Sequence, residues 1–324
     1  MITFDNFEKD LDFIKEYFLK NNNNSFLEID DKSSAIVTFR IYFCWVLSII
    51  IFPLLCNILG LLGILIGIIL MGVTSYKFQF LIHEACHRNL FTKQKINEFI
   101  GNLSASLFGM SLKSYRETHF LHHKHSNTMN DPQFNDALGK KNSNLKKMDF
   151  VRFIFSPLYC SKFFLFIRRE LKSNLKIIDI KNNKKKITGG FWFLIISLFL
   201  NLLIIFFIYF YTGQNILLAF SYHLSLATIS LFLARIRTLA EHQYFHQAST
   251  PKKFVVSHKP NFFEKLFFYD LNFNYHLEHH IFPKIPHKNL KFFSEKYVKN
   301  LHVKYGTLSS SMLSTLFKRY QKAK

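Results

Sequence analysis

The chain has 324 residues, with 42 Lys and Arg against 21 Asp and Glu for a formal net charge of +21, and 49% hydrophobic residues, of which 40 are Phe. That apolar share excludes a disordered or low-complexity chain, and the length allows one large domain or two modest ones. Four widely spaced cysteines, Cys44, Cys56, Cys86 and Cys160, lie in or beside apolar runs, which excludes a disulfide framework and a Cys-type zinc ribbon.

In chain order, Phe4, Phe7, Leu11, Ile14 and Phe18 recur at helical spacing with charged residues between them. This predicts an amphipathic helix within residues 1–34, either lying on a membrane surface or packed on the protein's own polar part. Nothing at the N-terminus resembles a signal peptide. Residues 41–76 contain no Lys, Arg, Asp or Glu, and neither do residues 189–234. Each block far exceeds the roughly 20 residues that cross a bilayer core, whereas a buried helix of a soluble protein would keep some charge on its outer face. Pro53, Asn57 and Gly60 offer breakers in the first block and Tyr211–Asn215 a turn in the second. Four spans are therefore expected, near 36–55, 58–78, 191–211 and 215–236, in two hairpins.

All Lys and Arg lie on the side away from both turns, which the positive-inside rule makes cytoplasmic. There they face anionic lipid, each worth about 1 kcal/mol near the surface. The charge thus reads as membrane anchoring and not as a nucleic-acid footprint. Residues 99–112, with small residues Gly101, Ser104, Ser106 and Gly109, suggest a re-entrant or interfacial segment, and the Phe-rich 150–168 an interfacial one. Lys181–Lys186 reads as a solvated linker, and residues 296–324 as a basic tail after a membrane domain over 35–295. The expected fold is an all-α integral membrane protein with both termini and a helical cap on the cytoplasmic side; the Lys-, Asn- and Ile-rich composition points to a bacterial inner membrane.

The histidines carry the chemistry. The second span runs into His83-Glu-Ala-Cys-His87; His119-Phe-Leu-His122-His123 follows the apolar 99–112 segment; the fourth span runs into Glu241-His242; and His276-Leu-Glu-His279-His280 comes last. Spacings of three and four put side chains on one helical face, and all four clusters sit at or beyond span ends on one side of the membrane, so they can converge. By composition alone one HxxHH is expected about 0.03 times in such a chain, yet two occur. His223, mid-span, reads as a satisfied core residue, and His258, His287 and His302 as surface or loop residues. His125 and His246 are ambiguous neighbours of the clusters. Nine imidazoles exceed the three or four protein ligands of a zinc site and suit two ions with four or five nitrogens each. Imidazole accepts zinc, copper, iron or nickel, so ligand type leaves the metal open. Beside a bilayer, two redox-active ions favour iron with dioxygen as co-substrate, because an unactivated methylene needs an oxidant that side chains cannot supply.

HEACHRNLF (83–91), THFLHHKHSNTMNDP (118–132), RIRTLAEHQ (235–243) and NFNYHLEHHIFPKIPHKNL (272–290) resemble the histidine-box regions of the membrane fatty-acid desaturase superfamily, and the likeness extends over residues 40–295. It implies an O2-dependent oxidoreductase acting on a fatty acyl chain in lipid metabolism. It also implies a di-iron centre with His83, His87, His119, His122, His123, His242, His276, His279 and His280 as ligands, His246 being an alternative at the looser His242 position. Glu84, Asp131, Glu241 and Glu278 are candidates to accept the second ring N–H of ligating histidines. The first box has three residues between its histidines, where acyl-CoA Δ9 desaturases have four, and the third begins with His276, not the Gln of front-end desaturases. No His-Pro-Gly-Gly motif occurs, so electrons are expected from a separate ferredoxin or cytochrome b5-type partner. Hydroxylases and ketolases acting on lipids, sphingoid bases or carotenoids share the boxes and stand as the alternative reaction. A membrane zinc protease would use His83-Glu84-xx-His87 as HExxH but leaves both HxxHH clusters unexplained, and a metal carrier would place its site nearer the bilayer midplane.

Overall fold

A computed structural model describes residues 6–21, 23–128, 130–133, 147–159, 189–242 and 254–322; Cys160, His246, the 181–186 run and the second half of the 150–168 segment lie outside them. The described chain is helical apart from one parallel pair of two-residue strands, Ser257–His258 with Leu308–Ser309, a small departure from the all-α expectation. It divides into two compact units, one of residues 32–116 and 155–233, the other of residues 1–31, 117–154 and 234–324.

The first of these units is built on the helix Asp31–Cys86, which is continuous in hydrogen bonding but broken in direction at Gly60 (φ 55°, ψ −128°). Only glycine enters that region of backbone space without strain. The contacts across the break define an antiparallel hairpin. A Cβ on Gly63 would stand 1.9 Å from the Leu55 carbonyl oxygen and one on Gly67 2.3 Å from the Phe52 ring. Further along, the Ser48 and Thr74 hydroxyls meet at 3.0 Å, and Trp45 packs edge-on against Phe78. Pro53, one of the expected breakers, lies inside the first arm without ending it. The arms of 29 and 26 residues around Gly60 each exceed the bilayer core at 1.5 Å per residue, and this helix is long and apolar enough to cross a membrane.

A second apolar helix, Gly189–Tyr211, ends in a turn where Gly213 and Gln214 both take positive φ. The chain returns through short helices Ile216–Ala219 and Ser221–Ser225, a π-turn at Leu226–Ser230 and the helix Leu231–Glu241. Asn215 caps the return by accepting from the Leu217 and Leu218 amides. Half-buried His223 bonds the Asn201 side chain across this hairpin, Nε2 to Oδ1 at 3.0 Å, while its Nδ1 has no partner, so the expected core histidine is only partly satisfied. The two hairpins touch where Gly72 lacks a side chain: a Cβ there would meet Ile229 Cβ at 2.5 Å, beside the π-turn. Large apolar residues cover the outside of these helices, among them Phe39, Leu61, Leu198, Phe199 and Leu217, a surface that water would penalise and hydrocarbon accepts. Residues 99–112 are not one element: the helix Gln94–Ser106 ends within them, Gly109 turns at φ 70°, and the helix Leu112–His125 begins. Gly101 makes room for Ala85 and Leu112, and Ser104 bonds Tyr42.

In the other unit, the helix Phe7–Lys20 has its Phe7, Leu11 and Phe18 side chains buried with Phe254, Leu277, Phe293 and Tyr305. The expected amphipathic helix therefore packs on the protein, the second of its two anticipated settings. Each of these side chains removed from water contributes about 1.5–3 kcal/mol, and Asp10 adds contacts to Lys304 Nζ (2.6 Å) and Tyr305 Oη (2.7 Å). Those two partners lower the Asp10 pKa. Residues 296–324, expected as a tail, carry the helices Lys299–Tyr305 and Met312–Lys322.

Because the Gly63 backbone sits against the Leu55 carbonyl, Gly63→Ala is expected to force the arms apart and to lower the yield of folded protein by well over half. Leu61→Ala, on the outward face, should leave it unchanged. Size-exclusion profiles of the solubilised variants compare the two, and equal yields would contradict the hairpin packing.

Candidate metal centre

The end of the Asp31–Cys86 helix carries the first histidine pair. His83 and His87 are one turn apart, their ring centroids at 4.8 Å, with the His87 amide bonded to the His83 carbonyl. This helix end is fixed from two sides. Buried Asn97 donates to the Ala85 carbonyl and accepts from the Leu90 and Phe91 amides. Arg116 donates from Nε to the Cys86 carbonyl and from Nη2 to that of Ala85, while its guanidinium pairs with Glu98 at 2.6 Å. The last carbonyls of a helix carry partial negative charge, so a guanidinium is a suitable cap. Glu84 is buried, its Oε1 3.4 Å from His83 Nδ1.

The other seven histidines lie within the second unit, brought together from three places in the chain. The Leu112–His125 helix presents His119, His122 and His123; the residue that follows the Leu231–Glu241 helix is His242; the short helix His276–Ile281 supplies His276, His279 and His280. They form two sets. In one, His123 Nε2 lies 3.0 Å from both His119 Nε2 and His279 Nε2. In the other, one ring nitrogen from each of His122, His242, His276 and His280 lies within 4.8 Å of the rest, and the Nε2 atoms of His242 and His276 are 3.0 Å apart. The sets adjoin, with the His123 and His280 rings 4.4 Å apart. His125 stands outside both.

Several groups hold the rings in place. Asp131, fully buried, accepts from His122 Nδ1 with both oxygens at 3.0 Å and is itself held by the Gln133 amide. This leaves His122 Nε2 as the free donor. Ser126 Oγ lies 3.3 Å from His242 Nδ1, and the adjacent Asn127 donates to the Phe254 carbonyl. Arg319, buried in the last helix, donates to the Leu239 and His242 carbonyls. Glu278 turns elsewhere: it accepts from His302 Nε2 at 2.7 Å and from Ser257 Oγ, which in turn accepts from the Leu277 amide. Glu241 lies 3.4 Å from Arg237 Nη1 and 3.5 Å from His276 Nε2.

His258, His287 and His302, expected at the surface or in loops, are all buried, in a short strand, a 3-10 turn and a helix respectively. His302 binds Thr307 through Nδ1 and braces the third box through Glu278, while His258 bonds Tyr269 Oη and the Asn274 side chain donates to its carbonyl. Single histidines without a spaced partner gave no signal for these roles, and Arg319 and Ser126 gave none either.

Burial and neighbouring imidazoles hold the pKa values of His242, His276 and His280 well below the usual histidine range. Neutral imidazole is the form that binds metal. Burial raises Glu241 to about 8 against the opposing pull of Arg237 and Arg319, and lowers Arg319 to about 9. His280 Nε2 and His276 Nδ1 are buried with no hydrogen-bond partner. Imidazole nitrogens ~2.1 Å from one ion and at right angles to each other lie about 3.0 Å apart, so the observed Nε2 separations suit shared ions.

The family model for fatty acid desaturases matches residues 58–309. Spanning more than half of the sequence, this match places the chain in the fatty acid desaturase family, within the membrane desaturase superfamily. No curated protein matches the chain. The family makes this an oxidoreductase of lipid metabolism, and the grouped histidines are compatible with a metal site.

Two outcomes follow. Asp131→Asn removes the carboxylate behind His122 and should weaken metal retention about 10–100-fold, read as metal per chain after graded chelation; unchanged retention would contradict the orienting role. Burial lowers the pKa of His258 to about 3 and of His287 to about 4. The unfolded chain takes up protons below about pH 6.5 where the folded one does not, so this stability is complete above that pH and is lost as pH falls. The thermal midpoint of chelator-treated protein should be flat from pH 8 to 7 and decline from 6.5 to 4, less steeply in His287→Gln; a midpoint rising towards pH 4 would contradict it.

Proposed function

We propose that this chain desaturates a fatty acyl chain with dioxygen at two iron ions. His83, His87, His119, His122, His123, His242, His276, His279 and His280 would be their ligands, with His122, His242, His276 and His280 serving one ion. The observation that carries the reading is the gathering of seven box imidazoles in two adjoining sets on a member of this family. When bound, the two irons would supply the oxidising power that lets dioxygen take two hydrogens from neighbouring unactivated methylenes.

The rest is the work of this chain's own residues. Asp131 fixes the His122 tautomer so that Nε2 faces the metal. Arg116 and Asn97 hold the helix end that bears His83 and His87. Closely packed side chains bury the His242, His276 and His280 rings and favour their neutral form. The two charge-free blocks would cross the bilayer as two hairpins, with the boxes and both termini on the cytoplasmic side, and the acyl chain would come from that bilayer. A separate ferredoxin or cytochrome would deliver the electrons to the basic face. The protease reading gains nothing from Glu84, which lies beside His83 Nδ1 and leaves seven grouped histidines without a role.

The experiment is lipid profiling by gas chromatography–mass spectrometry of a bacterial host expressing the chain or its His279→Ala variant with a ferredoxin partner. The expected result is an acyl species two mass units lighter, present only with the intact boxes. Products sixteen units heavier would replace the reading with hydroxylation on the same scaffold, and identical profiles with one zinc per chain would overturn it.

A further inference from the structure

We propose that a small cavity beside the N-terminal helix is a binding site for small anions, through which they reach the metal ions from the surrounding water. The inference deepens the two-iron reading above and rests on it. The cavity measures about 70 Å3 and is partly open to the outside. That is room for about five water molecules, and far less than the ~300 Å3 or more of a pocket that encloses a larger organic ligand. An acyl chain does not fit, so the cavity serves something smaller. Its position gives it a role. Of the seven histidines grouped in this unit, five are buried, and two, His123 and His280, are only half-buried. These two line the cavity. They belong to different sets, and their rings lie 4.4 Å apart, inclined by 31°. A small molecule in the cavity therefore has a ring of each set beside it.

The N-terminal helix supplies the charge. On the helix Phe7–Lys20, Lys15 lies four residues after Leu11 and three before Phe18, so it shares the face that packs on the protein. A lysine on a packed face gives up hydration and side-chain freedom, and this one borders the cavity, with Leu11 also on its wall. Buried Leu277 and Ile281 complete an apolar lining on that side. Ser126, whose hydroxyl is 3.3 Å from His242 Nδ1, adds a polar group near the histidines. An ammonium bordering a narrow space with low-dielectric walls is screened less than one on an open surface, and it concentrates ions of opposite sign. The metal ions would add positive charge at the histidine end, where neutral imidazoles do not compensate it. A small anion in the cavity is then held from both ends, by Lys15 and by the metals beside His123 and His280.

The test uses the full-length, iron-loaded protein in its ferric state, with azide as the probe. Azide bound to ferric iron gives a charge-transfer band in the visible spectrum, so affinity is read without turnover. Wild type should bind azide saturably. Lys15→Met should weaken binding about tenfold, the effect of one unit charge about 10 Å away in a partly screened site, and Lys15→Glu on the order of a hundredfold. Iron content and the azide-free spectrum should match wild type in both variants. Aminoethylation of Lys15→Cys rebuilds a lysine-like ammonium and should restore azide binding, which a misfolded variant could not do; wild type treated alike controls for the native thiols. Equal azide affinity in wild type and Lys15→Glu, or two irons in wild type that do not respond to azide, would overturn the anion site while leaving the two-iron reading intact. Wild type without iron would sink that reading and the anion site with it.

Discussion

Keeping a crowd of imidazoles uncharged inside a folded protein is the constraint on which this structure turns. Seven ring systems share one compact unit, with nitrogens as close as 3.0 Å. At such distances two protonated rings would repel strongly in a low dielectric, and burial alone already favours the neutral form. The arrangement therefore favours rings that are dry and fixed in tautomer, and it is compatible with a metal ion shared between them. Much of the second unit serves those needs. Asp131 and Ser126 face the Nδ1 atoms of His122 and His242. The Ser257–Glu278–His302 chain holds the short helix of the third box. The Phe7–Lys20 helix closes the apolar core against Leu277 and Phe254.

The other unit addresses a different problem, that of placing apolar length. Its hairpins need close backbone approach and gain it by omitting side chains: Gly63 and Gly67 within the first hairpin, Gly72 between the first and second. In hydrocarbon there is no hydrophobic drive between helices, so small residues and packing decide association. The polar contacts Ser48–Thr74 within the first hairpin and Asn201–His223 within the second add directional ties. Arg116 and Asn97 then convert a helix end into a fixed platform for His83 and His87.

What could be read from the sequence was what repeats at a structural period or concentrates beyond chance. The two charge-free blocks, the turn at Tyr211–Asn215 and the i, i+3, i+4 histidines were legible because each is a local pattern. The hairpin break was narrowed only to Pro53, Asn57 or Gly60, and the backbone chose the glycine because the turn requires positive φ. Contacts between distant segments stayed hidden. Glu278 was sensed as an acidic neighbour of a box, but its partner His302 lies 24 residues on without any motif. Arg319 sits in a stretch whose basic composition reads as a solvated tail, yet its guanidinium is buried on the carbonyls beside His242. The N-terminal helix showed its apolar stripe plainly, but a stripe does not state whether lipid or protein covers it.

The account stands or falls on what the imidazoles hold. The most direct measurement is the metal content, by mass spectrometry of the elements, of protein purified from cells supplied with both iron and zinc. Two irons per chain, absent from a variant lacking the third-box histidines, is the predicted result. A single zinc per chain, or no bound metal at all in folded protein, would contradict it.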